Sequence, residues 1–269
     1  MDDNDILRVA EKAAREAAAF IRSVRESGEL QLSYKGERDL LTAADIGAER
    51  IILSTVREHF PSHEIISEES HPGQKSSEDY AKPLWVIDPV DGTTNFAQGL
   101  PHVGVSIGFL DKGVSRVGVV GAPFLGETYS AVIGKGAYCG ERRIQVSKKS
   151  NLAQALIGTG FPYARNALSS IIRRIEAVLK QCQDVRRLGA ASLDICMVAS
   201  GRLDAYYETI QPWDMAGGYV IAKEAGAVTG NLFDSVVDPN LQILPPGLCG
   251  QGFLVAGPEL YENLRMLLQ

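Results

Sequence analysis

The stretch Trp85-Val86-Ile87-Asp88-Pro89-Val90-Asp91-Gly92-Thr93-Thr94-Asn95-Phe96 decides how the rest of the chain is read. With Leu84 before it, the stretch starts as an apolar run, the pattern of a buried strand, and the run ends in a carboxylate, Asp88. Pro89 has a fixed φ and holds Asp88 extended. Gly92 permits a tight turn directly after Asp91. Chain reversal there can bring Asp88 and Asp91 to one point at the edge of the core. Two carboxylates brought together and desolvated repel each other, and one would ordinarily take up a proton. A bound divalent cation removes that penalty, and all-oxygen ligands select a hard ion such as Mg²⁺. Taken alone, Asp91-Gly92 fits a plain turn equally well, with Thr93 or Thr94 as a helix cap. Where a helix follows, Gly92, Thr93 and Thr94 leave backbone N–H groups free for an anion such as phosphate.

Two other acidic places support a metal site. Ser67-Glu68-Glu69-Ser70 follows a short β-like run, and Trp213-Asp214-Met215-Ala216-Gly217-Gly218 opens a helix rich in small residues. Each has an ordinary reading, a solvated surface pair for Glu68 and Glu69 and helix-dipole capping for Asp214.

Outward from these motifs, apolar residues at helical spacing predict helices over 5–26 and 42–60, and the polar stretches 33–39 and 70–82 read as loops. Runs at 103–110, 114–122 and 127–133, separated by Gly/Asp/Lys turns, predict an antiparallel meander. From about residue 151 the rhythm alternates, with helices expected at 168–182, 190–200, 214–225 and 259–268 and strands at 154–158, 184–187, 203–208 and 252–256. The expected organisation is an α+β part over 1–150, holding the antiparallel sheet and most of the acidic candidates, and an α/β part over 151–269, packed as one unit.

Composition excludes several function classes. The chain has 269 residues, is 45% hydrophobic and 22% charged, and carries 33 acidic against 27 basic side chains, a net charge of −6. This is the composition of a folded globular protein and not of a disordered one. The acidic balance argues against a nucleic-acid partner. No run reaches the ~18 apolar residues of a membrane span. The acidic start, Met1 to Asp5, is unlike a targeting peptide, so a cytoplasmic location is expected.

The four cysteines, Cys139, Cys182, Cys196 and Cys249, are scattered and read as small buried hydrophobes of a reducing compartment. His59 and His63 have the spacing of a helical metal pair, but Pro61 between them ends the helix. Gly104-Val105-Ser106-Ile107-Gly108 matches a nucleophile elbow, yet every histidine (59, 63, 71, 102) precedes Ser106, the reverse of the required order. The alternation of Val103, Val105, Ile107 and Phe109 reads instead as strand. No P-loop is present, and the glycine clusters near 134–140 and 247–252 make no dinucleotide fingerprint.

Asp39-Leu40-Leu41-Thr42-Ala43-Ala44-Asp45, Glu68-Glu69-Ser70, the Asp88–Phe96 string and Trp213-Asp214-Met215-Ala216-Gly217 follow one another in an order that resembles the inositol monophosphatase family of metal-dependent phosphatases. The resemblance covers nearly the whole chain. It implies a layered αβαβα sandwich of the sugar-phosphatase type, a homodimer, and two or three Mg²⁺ per active site. It further implies that Glu68, Asp88, Asp91 and Asp214 are metal ligands, joined by the Val90 carbonyl. Gly92 and Thr93 would present amides to the phosphate, with Asp91 and Asp214 bordering the substrate. Thr93 with Asp45 would position and help deprotonate the attacking water, a catalytic set that includes Glu68. Glu69 would stand beside the ligands. Gly189-Ala190-Ala191 and Glu208 would contact the sugar ring, and Lys35 would fall in a loop approaching the metals.

The implied activity is hydrolysis of myo-inositol monophosphate or a similar sugar phosphate by in-line attack of metal-activated water, with lithium sensitivity. Thr94-Asn95-Phe96 resembles the inositol version of the motif and not the Lys-Glu-Phe of phosphoadenosine phosphatases. A haloacid-dehalogenase reading wants Asp-x-Asp, whereas here the spacing is Asp-x-x-Asp. The alternatives are a dual fructose-1,6-bisphosphatase and, from another class, a regulatory or scaffolding protein that retains the fold. The expected partner is a small phosphorylated polyol or sugar, with no nucleic acid and no membrane.

Overall fold

A computed structural model describes residues 2–35, 40–70, 79–161, 168–232 and 244–269. Asp39, His71 and most of the polar loops expected at 33–39 and 70–82 lie outside the described residues.

Helix α1 (Asp3–Ser27) buries Ile6, Val9, Ala10, Ala13, Ala17, Ile21 and Val24, the stripe its spacing predicts. Asp2 caps its start, and Gly28 ends it in the left-handed region at φ 74°. Helix α2 (Ala43–His59) begins at a capping box, in which the Thr42 side chain and Asp45 satisfy each other's backbone N–H groups. Residues Ser33–Tyr34 (β1) and Leu40–Leu41 (β2) form a small antiparallel ladder before α2.

The first large sheet has seven strands in sequence order: β3 (Glu64–Ser67), β4 (Leu84–Asp91), β5 (Gly104–Asp111), β6 (Val114–Ala122), β7 (Glu127–Val132), β8 (Gly136–Cys139) and β9 (Arg142–Ile144). Among the described residues only the β3–β4 pair of this sheet is parallel. The meander is therefore longer than the sequence reading. Strands β8 and β9 are additions to the sequence reading, formed because positive φ at Gly134 and Gly136 makes a turn that returns the chain onto β7.

The second sheet runs β11-β10-β12-β14-β13, with β10 (Leu156–Thr159), β11 (Asp184–Arg186), β12 (Ala205–Glu208), β13 (Val228–Asn231) and β14 (Phe253–Ala256). Strand β13 is an addition to the sequence reading. Helices α4 (Leu168–Leu179), α5 (Ala191–Ala199), α6 (Pro212–Glu224) and α7 (Pro258–Leu268) fall where periodicity places them, within a few residues, and α3 (Thr93–Ala97) follows Gly92.

Three apolar clusters define five layers. Helices α1 and α2 cover one face of the first sheet. Helices α5 and α6 fill the space between the two sheets. Residues of α4 and α7 cover the far face of the second sheet. This is the αβαβα sandwich. Helix α6 comes unusually close to the first sheet. A Cβ at Gly118 would lie 2.1 Å from Gly217 O, and one at Gly108 would lie 2.6 Å from Ala216 Cβ. Small residues on both sides thus let α6 rest on the strands, and this sets the depth of its first turn.

The decoys resolve as structure. Ser106 is buried in β5 and donates to Trp213 O at 2.9 Å. His63 accepts from Trp85 Nε1 at 3.0 Å, while His59 Nδ1 lies 2.9 Å from Thr55 O.

Candidate active site

Asp88 and Asp91 should not share a face of a regular strand, since residues three apart point to opposite sides. A bulge corrects this. Asp88 pairs with Ser106 and Asp91 with Gly104, so β4 carries one more residue than β5 across the interval. The packing shows the switch: Trp85, Ile87 and Val90 face α1 and α2, whereas Leu84 and Val86 pack with Ala216 of α6. Both carboxylates are thereby released toward α6. Pro89, with no N–H to contribute to a ladder, suits the irregular position, and Val90 N donates to Asp88 Oδ1 at 2.9 Å.

Asp214 arrives from the first turn of α6, where its Oδ2 accepts from Gln211 N at 2.9 Å. Ligand oxygens of Asp88, Asp91 and Asp214 all lie within 4.8 Å of one another. Among the described residues no Lys or Arg forms an ion pair with these three. Burial, and then the neighbouring carboxylates, push Asp88 and Asp214 well above the usual carboxylate range. Burial pushes Asp91 up to about 6, opposed by two hydrogen bonds from Ser192. Two buried acids and a half-buried one that oppose one another's ionisation, offering only oxygen donors, fit a hard divalent cation.

Thr93, the first residue of α3, places its Oγ1 2.9 Å from Asp45 Oδ1 and 3.0 Å from Val90 O. The other oxygen of Asp45 accepts from Thr42 N at 2.8 Å and Thr42 Oγ1 at 2.5 Å. Burial raises Asp45, against the opposing bonds from Thr42 and Thr93. The residue before α3, Gly92, is held at φ 91°, and a Cβ there would stand 3.0 Å from His102 O and 3.1 Å from Gly189 O. Both backbone and space therefore call for glycine. No side chain caps α3.

At the rim, Glu68 follows β3, and its amide donates to Ile87 O at 3.1 Å. Lys35 Nζ lies 3.0 Å from Glu68 Oε1 and 2.6 Å from Glu69 Oε1. Burial raises Glu68, with Lys35 opposing and Asp45 adding to the rise. Burial raises Glu69 to about 7 despite the lysine.

On the other side stand Ala191, the first residue of α5, and Glu208, the last of β12. The Tyr206 hydroxyl donates to Glu208, and burial raises Glu208 to about 7. Gly160 makes room for it, since a Cβ there would overlap the Glu208 carboxylate. Asp45, Glu68, Val90, Asp91, Thr93 and Asp214 thus gather around Asp88, with Gly92, Ala191 and Glu208 bordering them. Sequence reasoning missed three contributors. Ser192 N and Oγ both donate to Asp91 Oδ2 at 2.6 Å. Asn95 Nδ2 donates to His102 O and Leu188 O, each at 2.8 Å. His102 Nε2 lies 3.0 Å from Asp194 Oδ1. Only Asn95 lies within a motif that could have signalled it.

The pattern of the inositol monophosphatase family matches residues 2–263, and the chain belongs to that family. It is similar to Nus factor SuhB of Pasteurella multocida, 40% identical over 228 residues, 84% of each chain. It is also similar to inositol monophosphatase 1 of Solanum lycopersicum, 40% identical over 234 residues, 86% of this chain and 84% of that one. The solved structure of an inositol monophosphatase from Anabaena superposes with a TM-score of 0.83 at 32% identity, covering 100% of this chain and 96% of that one. Family membership supports a phosphatase acting on a small phosphorylated substrate. Among the described residues no helix is long and apolar enough to cross a membrane.

Proposed function

We propose that the chain is a Mg²⁺-dependent phosphomonoesterase for myo-inositol monophosphate or a related sugar phosphate, working as a cytoplasmic homodimer. The observation that carries this reading is the triad Asp88, Asp91 and Asp214, two buried carboxylates and a half-buried one with no ion-paired Lys or Arg among the described residues, beside a Thr93–Asp45 pair. These three residues, the Val90 carbonyl and Glu68 would hold two or three Mg²⁺. When bound, the cations supply Lewis acidity, neutralising phosphoryl charge and acidifying a water.

The chain's own groups then have distinct tasks. Asp45 holds the Thr93 hydroxyl, so a water proton can pass to Thr93 Oγ1 as the threonine proton passes to Asp45 Oδ1. The pKa of Asp45, raised by burial, suits a group that receives a proton. The amides of Gly92 and Thr93 meet the phosphate. Ala191 and Glu208 meet the ring hydroxyls, with a carboxylate positioned by Tyr206.

The test is phosphate release from myo-inositol 1-phosphate, fructose 1,6-bisphosphate, histidinol phosphate and 3′-phosphoadenosine 5′-phosphate, with Mg²⁺ and with chelator. The expected result is Mg²⁺-dependent release, greatest from the inositol ester, abolished by chelator and inhibited by lithium. Comparable release from fructose 1,6-bisphosphate would favour the dual reading. A regulatory or scaffolding role is a second reading, favoured by the Nus-factor name of a relative with this much identity. Absence of turnover on every ester by the folded, Mg²⁺-loaded protein would leave that reading in place of the first.

A further inference from the structure

Helix α5 begins without a side-chain cap of its own, because Ala190 stands at its N-cap position. The missing acceptor is supplied from the first sheet. Asp91 Oδ2 takes the Ser192 amide and the Ser192 hydroxyl, each at 2.6 Å, across 101 residues of sequence. Both donors converge on one carboxylate oxygen, leaving Oδ1 without a bond from Ser192. The terminal torsion of an aspartate is soft and broad, so pinning one oxygen fixes the direction of the other.

The hydroxyl also sits in a hollow made for it. Gly104 pairs with Asp91 across β4 and β5. A Cβ at Gly104 would lie 2.5 Å from Ser192 Oγ, but 3.4 Å from Leu193 Cγ and 3.7 Å from Asp91 Cβ. A methyl at position 104 would therefore displace the Ser192 hydroxyl while meeting its other neighbours at ordinary contact distance. Gly104 is absent from the positive-φ residues, so alanine is compatible with its backbone.

We infer that Ser192 is a positioning residue for the metal site, aiming Asp91 from helix α5 within a hollow kept open by Gly104, so that cation affinity depends on how α5 is docked. The inference rests on the metal-site reading above. Ser192 need not touch substrate or cation. Its effect passes through Asp91, and it should appear in metal affinity before it appears in substrate affinity.

The test is Mg²⁺ titration calorimetry on the metal-stripped full chain, with thermal melts and steady-state kinetics, for wild type, Ser192→Ala, Gly104→Ala, the double variant and Asp91→Asn. In Ser192→Ala the backbone amide still donates to Asp91, which keeps α5 capped, so the fold is retained. Its Mg²⁺ dissociation constant is expected to rise about tenfold, within the ~10–100-fold typical of groups that orient a metal ligand. KM for the phosphoester at saturating Mg²⁺ should stay within about twofold. Gly104→Ala is expected to weaken Mg²⁺ binding similarly. The double variant should bind no worse than Ser192→Ala, because the new methyl enters the space the hydroxyl has left.

Wild-type Mg²⁺ affinity in Ser192→Ala, or losses that multiply in the double variant, would overturn the inference while leaving the metal site intact. If wild type binds no Mg²⁺, or Asp91→Asn binds it as wild type does, the site reading fails and the inference with it.

Discussion

Two acidic regions lie side by side in this molecule, and they answer the same electrostatic problem differently. At the rim, Glu68 and Glu69 share the Lys35 ammonium at 3.0 and 2.6 Å. Beneath them, Asp88, Asp91 and Asp214 bring oxygens within 4.8 Å with no such partner among the described residues. Burial raises the carboxyls in both places, to about 7 for Glu69 and about 6 for Asp91. The difference is in what opposes burial. At the rim it is a full positive charge. At Asp91 it is chiefly neutral donors, and at Asp88 the neighbouring acids add to the rise. A carboxylate pair that shares one internal ammonium makes a smaller demand on its surroundings, whereas a triad with no such partner among the described residues calls for a cation from outside.

Asp91→Asn strikes this contrast hardest. It removes one charge from the triad and keeps an oxygen that can still accept from Ser192. The variant is expected to fold and, without metal, to melt higher than wild type, because like-charge repulsion is reduced. It should lose the rise in melting temperature that Mg²⁺ is expected to give wild type. Phosphate release should fall by on the order of 10³-fold or more, beyond the ~10–100-fold of an outer positioning group. Melts with and without Mg²⁺, beside initial rates, check all three outcomes. A variant with wild-type turnover would end the metal-ligand assignment.

A second consequence concerns pH. These carboxyls have folded pKa values above their ordinary 3.8 or 4.5. The folded state therefore binds more protons than the unfolded state, and stability falls as pH rises. Their contribution is fully present below the ordinary carboxylate range. It is lost as pH rises through about 6 for Asp91 and about 7 for Glu69 and Glu208, and Asp88 and Asp214, also raised by burial and neighbouring acids, add to the loss in the same direction. The metal-free protein should thus melt lower at pH 8 than at pH 5. Saturating Mg²⁺ should remove most of that slope, because it stabilises the ionised triad. Calorimetric scans across this range with chelator and with Mg²⁺ measure the effect, and a flat metal-free profile would contradict the picture of an unneutralised core.

The contrast also explains what could be read in the sequence. Asp88, Asp91 and Thr93 were legible because one bulge and one glycine turn act over six residues, and local rules govern both. Helix α1 and the β5–β7 meander were legible from their periodicity, whereas the layered sandwich was implied only by the family resemblance. Strands β8 and β13 were not legible. Each has four residues, includes glycine, and is held by its pairing partner more than by its own propensity. Ser192 was illegible for a similar reason. Its partner lies 101 positions away, and a serine near a helix start is too common to signal a contact.

Lys35→Gln sharpens the comparison from the opposite side, with the smallest effect. The substitution turns the rim into a second region of unneutralised acids. Partly exposed ion pairs contribute only about 0–1 kcal/mol, so the metal-free melting temperature should drop by no more than a few degrees. In wild type, on the proposed metal site, the ammonium and an incoming cation would compete for Glu68 Oε1, 3.0 Å from Lys35 Nζ. Without the ammonium, Glu68 is free to join the triad, and Mg²⁺ should bind a few-fold more tightly. The gain should disappear in Lys35→Gln combined with Glu68→Gln, because competition has nothing left to act on. Calorimetric titration of both variants separates this account from a general change in surface charge. A general change would alter Mg²⁺ affinity equally in the two backgrounds and would be screened by added salt.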